Sequence, residues 1–307
     1  DPGKELLHMR RLFTIVTAGT LTGLLCAGAM AATSVSAGAS VAGVSASVTG
    51  HDIKPGGPIV RTSAPGAAAQ LAGRTGLPTI SENWSGYAAV APRKFTYVHS
   101  TFIQPKITCP GVTNQVTSNW VGLDGFTSKT VEQDGTFGFC GGSASKTPQY
   151  EAWYELFPAG SVTVFAVNAG DKISVSVKFA SGKFTLAVAD LTTGKKATHT
   201  ATCGACERNS AEWIIERPAF CTSSTSCFLA ELADFHTTTM GDNQAQVAGG
   251  KISGLASFGN VPIDMIQPLK AGGFISLDTV AALKGSAFTA TWDRAGSVTP
   301  IQFGPRR

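Results

Sequence analysis

The run Gly170-Asp171-Lys172-Ile173-Ser174-Val175-Ser176-Val177-Lys178-Phe179-Ala180-Ser181-Gly182-Lys183-Phe184-Thr185-Leu186-Ala187-Val188 decides the fold class. Ile173, Val175, Val177 and Phe179 alternate with Lys172, Ser174, Ser176 and Lys178, the two-residue period of a half-buried strand. Ser181-Gly182 then marks a turn, and Phe184, Leu186 and Val188 resume the alternation. Outward from this hairpin, Gly170-Asp171 and Thr193-Gly194 punctuate the chain, and Val162, Val164 and Ala166 form another apolar face. Strand-like composition recurs at 85–91, 95–104, 117–123, 149–157, 212–216, 228–234, 273–278 and 287–293, with no long helical pattern. Many strands at this spacing predict an all-β chain folded as a two-sheet antiparallel β-sandwich of the concanavalin-like or jelly-roll type.

The folded part does not start at the first residue. Met9-Arg10-Arg11 precedes an apolar run to Ala32 that contains Ala29-Met30-Ala31, the pattern of a secretory signal with its small-residue cleavage site. Its threonines and glycines suit a cleaved signal better than a stable membrane anchor. Ala, Ser, Gly, Val and Pro then dominate to about residue 78, a composition that buries little apolar surface. The reading is therefore a leader and signal over 1–31, a propeptide or disordered linker over 32–78, and one domain over 79–307, exported and monomeric. The formal charge of +4 lies mostly in the leader. From Thr79 onward, 18 Lys and Arg face 17 Asp and Glu, which removes the main electrostatic support for nucleic-acid or anionic-membrane partners.

Six cysteines follow the signal: Cys109, Cys140, Cys203, Cys206, Cys221 and Cys227. In an exported chain an even number predicts disulfides, with fifteen pairings open. Cys221 and Cys227 flank a polar loop that a local bridge would close. Cys203-Gly204-Ala205-Cys206 has redox or zinc spacing, but no second cysteine pair or nearby histidine completes a four-ligand site, so a structural disulfide is expected.

The common hydrolase signatures are missing: there is no Gly-x-Ser-x-Gly elbow and no His-Glu-x-x-His. Carboxylates remain. Alternation puts Glu151, Trp153 and Glu155 on one strand face, and Glu212, Ile214 and Glu216 on another. Two glutamates four residues apart on a strand are separated by about 13 Å at about 3.3 Å per residue, beyond the roughly 5–9.5 Å of glycosidase acid pairs. A catalytic pair must therefore join different strands.

In motif order the chain resembles the glutamic peptidase, or eqolisin, family over nearly its whole length after residue 79. The series is Asn83-Trp84-Ser85-Gly86, Trp120-Val121-Gly122-Leu123-Asp124-Gly125, Gln133 before Asp134-Gly135, Tyr150-Glu151-Ala152-Trp153-Tyr154-Glu155, Leu191-Thr192-Thr193-Gly194-Lys195, and Ala211-Glu212-Trp213-Ile214-Ile215-Glu216. The resemblance implies an acid endopeptidase acting on proteins or peptides through a Gln133/Glu216 dyad, with Glu212 a supporting residue and no metal or cofactor. It also implies a cleft lined by Trp84, Trp120 and Trp153, with Asp124, Glu151 and Glu155 as polar positions near it. Glu151 stands where the family usually has aspartate, and Val131-Glu132 replaces the usual aliphatic pair before the glutamine. A β-sandwich glycoside hydrolase, or an inactive lectin-like binding module, would share the sandwich and its aromatic cleft. Hydrolysis that depends on Gln133 discriminates against both.

Overall fold

The computed structural model describes residues 53–54, 57–62, 67, 70–71, 78–110, 115–141, 146–221 and 226–301. The signal-like run and most of the 32–78 segment lie outside them. Thirteen longer strands carry the architecture. They are β1 (Trp84–Val90), β2 (Phe95–Ile103), β3 (Gln115–Leu123), β4 (Val131–Cys140) and β5 (Pro148–Phe157). Then come β6 (Val162–Ala166), β7 (Lys172–Ala180), β8 (Lys183–Asp190), β9 (Lys196–Ala201) and β10 (Ser210–Glu216). The last are β11 (Thr237–Val247), β12 (Gly259–Pro268) and β13 (Phe288–Trp292). One sheet runs β12-β1-β10-β3-β4-β5-β6 and the other β9-β8-β7-β2-β11-β13, each extended by short flanking strands. These main neighbours all pair antiparallel.

The predicted sandwich is the observed fold. Val121, Leu123, Trp213 and Ile215 from the first sheet meet Val98, Ile173, Val175, Val177, Phe184, Leu186 and Val188 from the second in one buried core. Alternation explains the split, since odd and even positions of a strand leave on opposite faces. The Trp213 indole stitches the layers by donating its Nε1–H to the His99 carbonyl at 2.8 Å. The expected face of Val162, Val164 and Ala166 is different: β6 ends the sheet, and Val162 is 44% exposed. With a partner on one side only, it has little to pack against.

The first sheet also buries its outer face. Trp84, Ala88, Val116, Trp120, Val131, Phe137, Phe139, Trp153 and Ile214 form a second cluster there, with Phe126, Phe220, Ile59 and Phe157 packed on it. A sheet covered on both sides loses the polar/apolar alternation, and all ten residues of β4 are buried. Glycine makes the close spacing possible: a Cβ on Gly135 would stand 2.3 Å from the Asn119 carbonyl oxygen and 2.5 Å from Trp120 Cβ. Three disulfides close the fold: Cys109–Cys140, Cys203–Cys206 and Cys221–Cys227. The last two are the expected local bridges.

Candidate active site

Cross-strand register assembles the outer face. One row reads Trp84, Glu216, Ser118, Phe137, Glu151 across β1, β10, β3, β4 and β5. Two residues along, Gly86, Ile214, Trp120, Gly135 and Trp153 form the next row; two further, Ala88, Glu212, Gly122, Gln133 and Glu155 form the third. The three tryptophans, Gln133, Glu151, Glu155 and Glu216 therefore share one face. Trp84 and Trp120 meet edge to face at 4.9 Å between centroids, while Phe137 stacks on Trp153 at 4.9 Å.

Glu216 is buried, and two N–H donors address its carboxylate. Trp120 Nε1 donates to Oε2 at 2.8 Å, and Asn83 Nδ2 donates to Oε1 at 3.5 Å. Such donors solvate an anionic carboxylate inside a protein. The Trp120 ring is packed in the core while its indole nitrogen faces the glutamate. Gln133 is buried as well, and its Nε2 donates to Glu155 Oε2 at 2.8 Å. Because a carboxylate only accepts, this bond turns the amide so that Oε1 points elsewhere, and that oxygen has no hydrogen-bond partner.

Gln133 Oε1, Trp84 Nε1 and Trp153 Nε1 lack partners, and their residues project from this one face. Buried polar atoms are normally satisfied, so these three are open to a hydrogen-bonding ligand. In an untwisted sheet the Cα atoms of Gln133 and Glu216, two strands and four positions apart, would be about 16 Å from each other. That leaves room between the side chains for a water and a carbonyl group.

Register puts Glu212, rather than Glu216, in Gln133's row, with Gly122 between them. The environments of the two glutamates differ. Burial raises Glu212 well above the ordinary carboxylate range, with Asp124 and Glu132 adding to the effect, so it is held neutral. Glu151 is half-buried and accepts from Thr163 Oγ1 at 3.0 Å. Asp124 has both oxygens occupied by the backbone N–H groups of Glu207, Arg208 and Asn209 at 2.8, 2.6 and 3.0 Å. It fixes the loop before β10 and shapes the wall. Asn83 was not among the sequence-derived site residues, although Asn83-Trp84-Ser85-Gly86 opens the motif series; it is buried.

Residues 57–62 lie against the same face. Ile59 packs on the tryptophan cluster and donates its N–H to the Gly125 carbonyl at 3.2 Å. Val60 donates to Asn83 Oδ1 at 2.7 Å and accepts from the Glu82 N–H at 2.8 Å. Gly57 sits where a side chain would strike the Phe157 ring. Arg61 holds the Phe126 carbonyl at 2.8 Å and lies over its ring at 4.5 Å. Ile53 and Lys54 pair antiparallel with Phe220 and Ala219, just past Glu216.

Among the described residues, Glu132, Cys203 and Cys206 form a grouping with metal-ligand spacing. Both sulfurs are committed to a disulfide, so the set offers no thiolate.

A β-sandwich whose outer sheet face combines hydrogen-bonded carboxylate, amide and indole groups defines a hydrolase of the glutamic peptidase class. The chain belongs to the Peptidase A4 family, which matches residues 82–284. The fold is similar to scytalido-glutamic peptidase, solved with a peptide-based transition-state analogue, at 23% identity over 69% of this chain and 98% of that one (TM-score 0.59). It is also similar to SCP-B, an eqolisin solved with the tripeptide Ala-Ile-His, at 22% identity over 69% and 98% (TM-score 0.57). Aspergilloglutamic peptidase from Aspergillus niger shares 27% identity over 58% and 99%, with a TM-score of 0.47. No curated protein sequence matches the chain. No helix among the described residues is long and apolar enough to cross a membrane.

Proposed function

We propose that this peptidase is a secreted, monomeric acid endopeptidase made as a proenzyme, with Glu216 and Gln133 as its catalytic pair. The observation that carries the pairing is one buried face on which Glu216 is met by two N–H donors while Gln133, oriented by Glu155, leaves its amide oxygen unpartnered. Ionised Glu216 takes a proton from water as the water oxygen attacks the scissile carbonyl carbon. Gln133 Oε1 holds that water, and the Nε2–H not given to Glu155 donates to the developing oxyanion. Glu216 then passes its proton to the leaving nitrogen as the C–N bond breaks. A carboxylate base with an ordinary value near about 4.3 exchanges protons in acid, where a histidine near about 6.5 would stay charged. Trp84, Trp120 and Trp153 line the cleft, Glu155 and Glu151 hold its polar groups, and Asp124 braces its rim.

The contacts of residues 57–62 support the proenzyme reading. A segment seated on the tryptophan face and hydrogen-bonded to Asn83, whose amide touches Glu216, covers the surface on which this reading puts the substrate. The assay is casein hydrolysis at acid pH by protein beginning near Thr79 and by the full chain. The shortened protein should turn over casein and lose that activity with Gln133→Ala, and the full chain should be slower until processed. Inactivity of the shortened, folded protein would reject the catalytic reading. Equal activity of an unprocessed full chain would reject masking alone.

A further inference from the structure

Glu132 is a buried carboxyl that the peptidase mechanism leaves unused. It occupies β4 beside Gln133 but projects to the opposite face, and it is fully buried. Its Oε1 lies 2.7 Å from Cys206 Sγ. Cys206 is bonded to Cys203 across Gly204 and Ala205, in a loop where Thr202, Gly204, Ala205 and Glu207 are exposed and both cysteines are half-buried. A buried glutamate in contact with one sulfur of an accessible two-residue-spaced disulfide is more than a loop staple requires.

We infer that Cys203–Cys206 is a thiol–disulfide exchange site in which Glu132 supplies the proton to the departing Cys206 sulfur. The co-reactant is an external thiol. Its thiolate attacks Cys203 Sγ, the sulfur not in contact with Glu132; the Cys203–Cys206 bond breaks, and Cys206 leaves with the electron pair. The Glu132 carboxyl proton moves to Cys206 Sγ, giving a Cys206 thiol, a Glu132 carboxylate and a mixed disulfide on Cys203. A second thiolate on the reductant then attacks its own sulfur in that mixed disulfide and releases Cys203. Direction follows from contact, since the sulfur beside the acid is the one that can leave protonated.

The surroundings keep the proton on Glu132. Burial first, and then the neighbouring Asp124 carboxylate, push it up to about 9, with Arg208 and Thr130 opposing; Glu212 is the other carboxyl coupled to it. Of the other two bridges, Cys109–Cys140 packs against the apolar core, and Cys221–Cys227 closes a hairpin.

The full chain is treated with dithiothreitol from pH 7 to 10, quenched by alkylation, and each bridge followed by peptide mass spectrometry. Cys203–Cys206 should open about tenfold or more faster than the other two bridges. Its rate per unit of dithiothreitol thiolate should fall as pH rises through about 9, and should be lower and flat with pH in Glu132→Gln. Equal rates for the three bridges overturn the inference, as does a flat wild-type profile, which needs no variant to measure. Matching profiles in wild type and Glu132→Gln also overturn it.

Discussion

Trp120→Phe isolates the indole bond to Glu216 from the packing of the ring. The substitution keeps an aromatic ring in the cluster and removes the Nε1–H that reaches Glu216 Oε2 at 2.8 Å. A hydrogen bond to an ionised group contributes about 1.5–3 kcal/mol. At about 1.36 kcal/mol per pH unit, losing it should move the acid limb of the kcat/KM profile upward by about 1–2 units. The sign follows from which form is stabilised: the indole favours the carboxylate, so without it a higher pH is needed to ionise the base. Trp84→Phe is the control, because Trp84 shares the cluster but its Nε1 has no partner. Its limb should stay in place while activity falls evenly across pH. The assay is hydrolysis of a quenched fluorescent peptide from pH 2 to 7 by protein beginning near Thr79. A Trp120→Phe profile that is lowered but not displaced, or displaced equally in Trp84→Phe, would refute the claim that this bond sustains the ionised base.

Stability should run opposite to that of most neutral proteins. Asp134, Glu212 and Asp278 are all raised well above their ordinary values, with burial as the largest cause. Their contribution is full below the unfolded values near 3.8 and 4.5 and is lost as pH rises through the higher folded ones. The Tm should therefore fall from about pH 4 toward neutrality, and Glu212→Gln should flatten that slope; a Tm that rises over this range would contradict the assignment. Gly135→Ala places a Cβ 2.3 Å from the Asn119 carbonyl oxygen and should cost about 1–3 kcal/mol or more in urea unfolding, with Gln133 displaced and turnover reduced. An unchanged midpoint would mean β3 and β4 can separate at no cost.

The sequence makes one half of this fold plain and hides the other for a physical reason. β7 and β8 have one face on the core and one toward solvent, so Ile173 through Val188 alternate cleanly. β4 is buried on both faces and reads Val-Glu-Gln-Asp-Gly-Thr-Phe-Gly-Phe-Cys, polar and glycine-rich residues that no periodicity marks as a strand. Only motif order singles out Gln133 in the sequence. β11 escapes because Gly241-Asp242-Asn243 looks like a turn, and the structure carries a register shift between Gly241 and Gln244. The strand face of Glu151, Trp153 and Glu155 could be read from spacing alone, whereas the Trp120–Glu216 and Gln133–Glu155 bonds depend on register between strands distant in sequence. The docking of residues 57–62 had no signal in a stretch rich in glycine and proline.

Glu216 and Glu212 stand on the same face of β10, one addressed by N–H donors and the other held neutral by burial. Measuring kcat/KM at acid pH for Glu216→Gln and Glu212→Gln, both shown to be folded, tests the central assignment most directly. The account predicts that Glu216→Gln loses about 10³-fold or more, as removal of an essential base does, while Glu212→Gln stays within about tenfold of the parent. The reverse pattern, with Glu212→Gln inactive and Glu216→Gln retaining turnover, would contradict it.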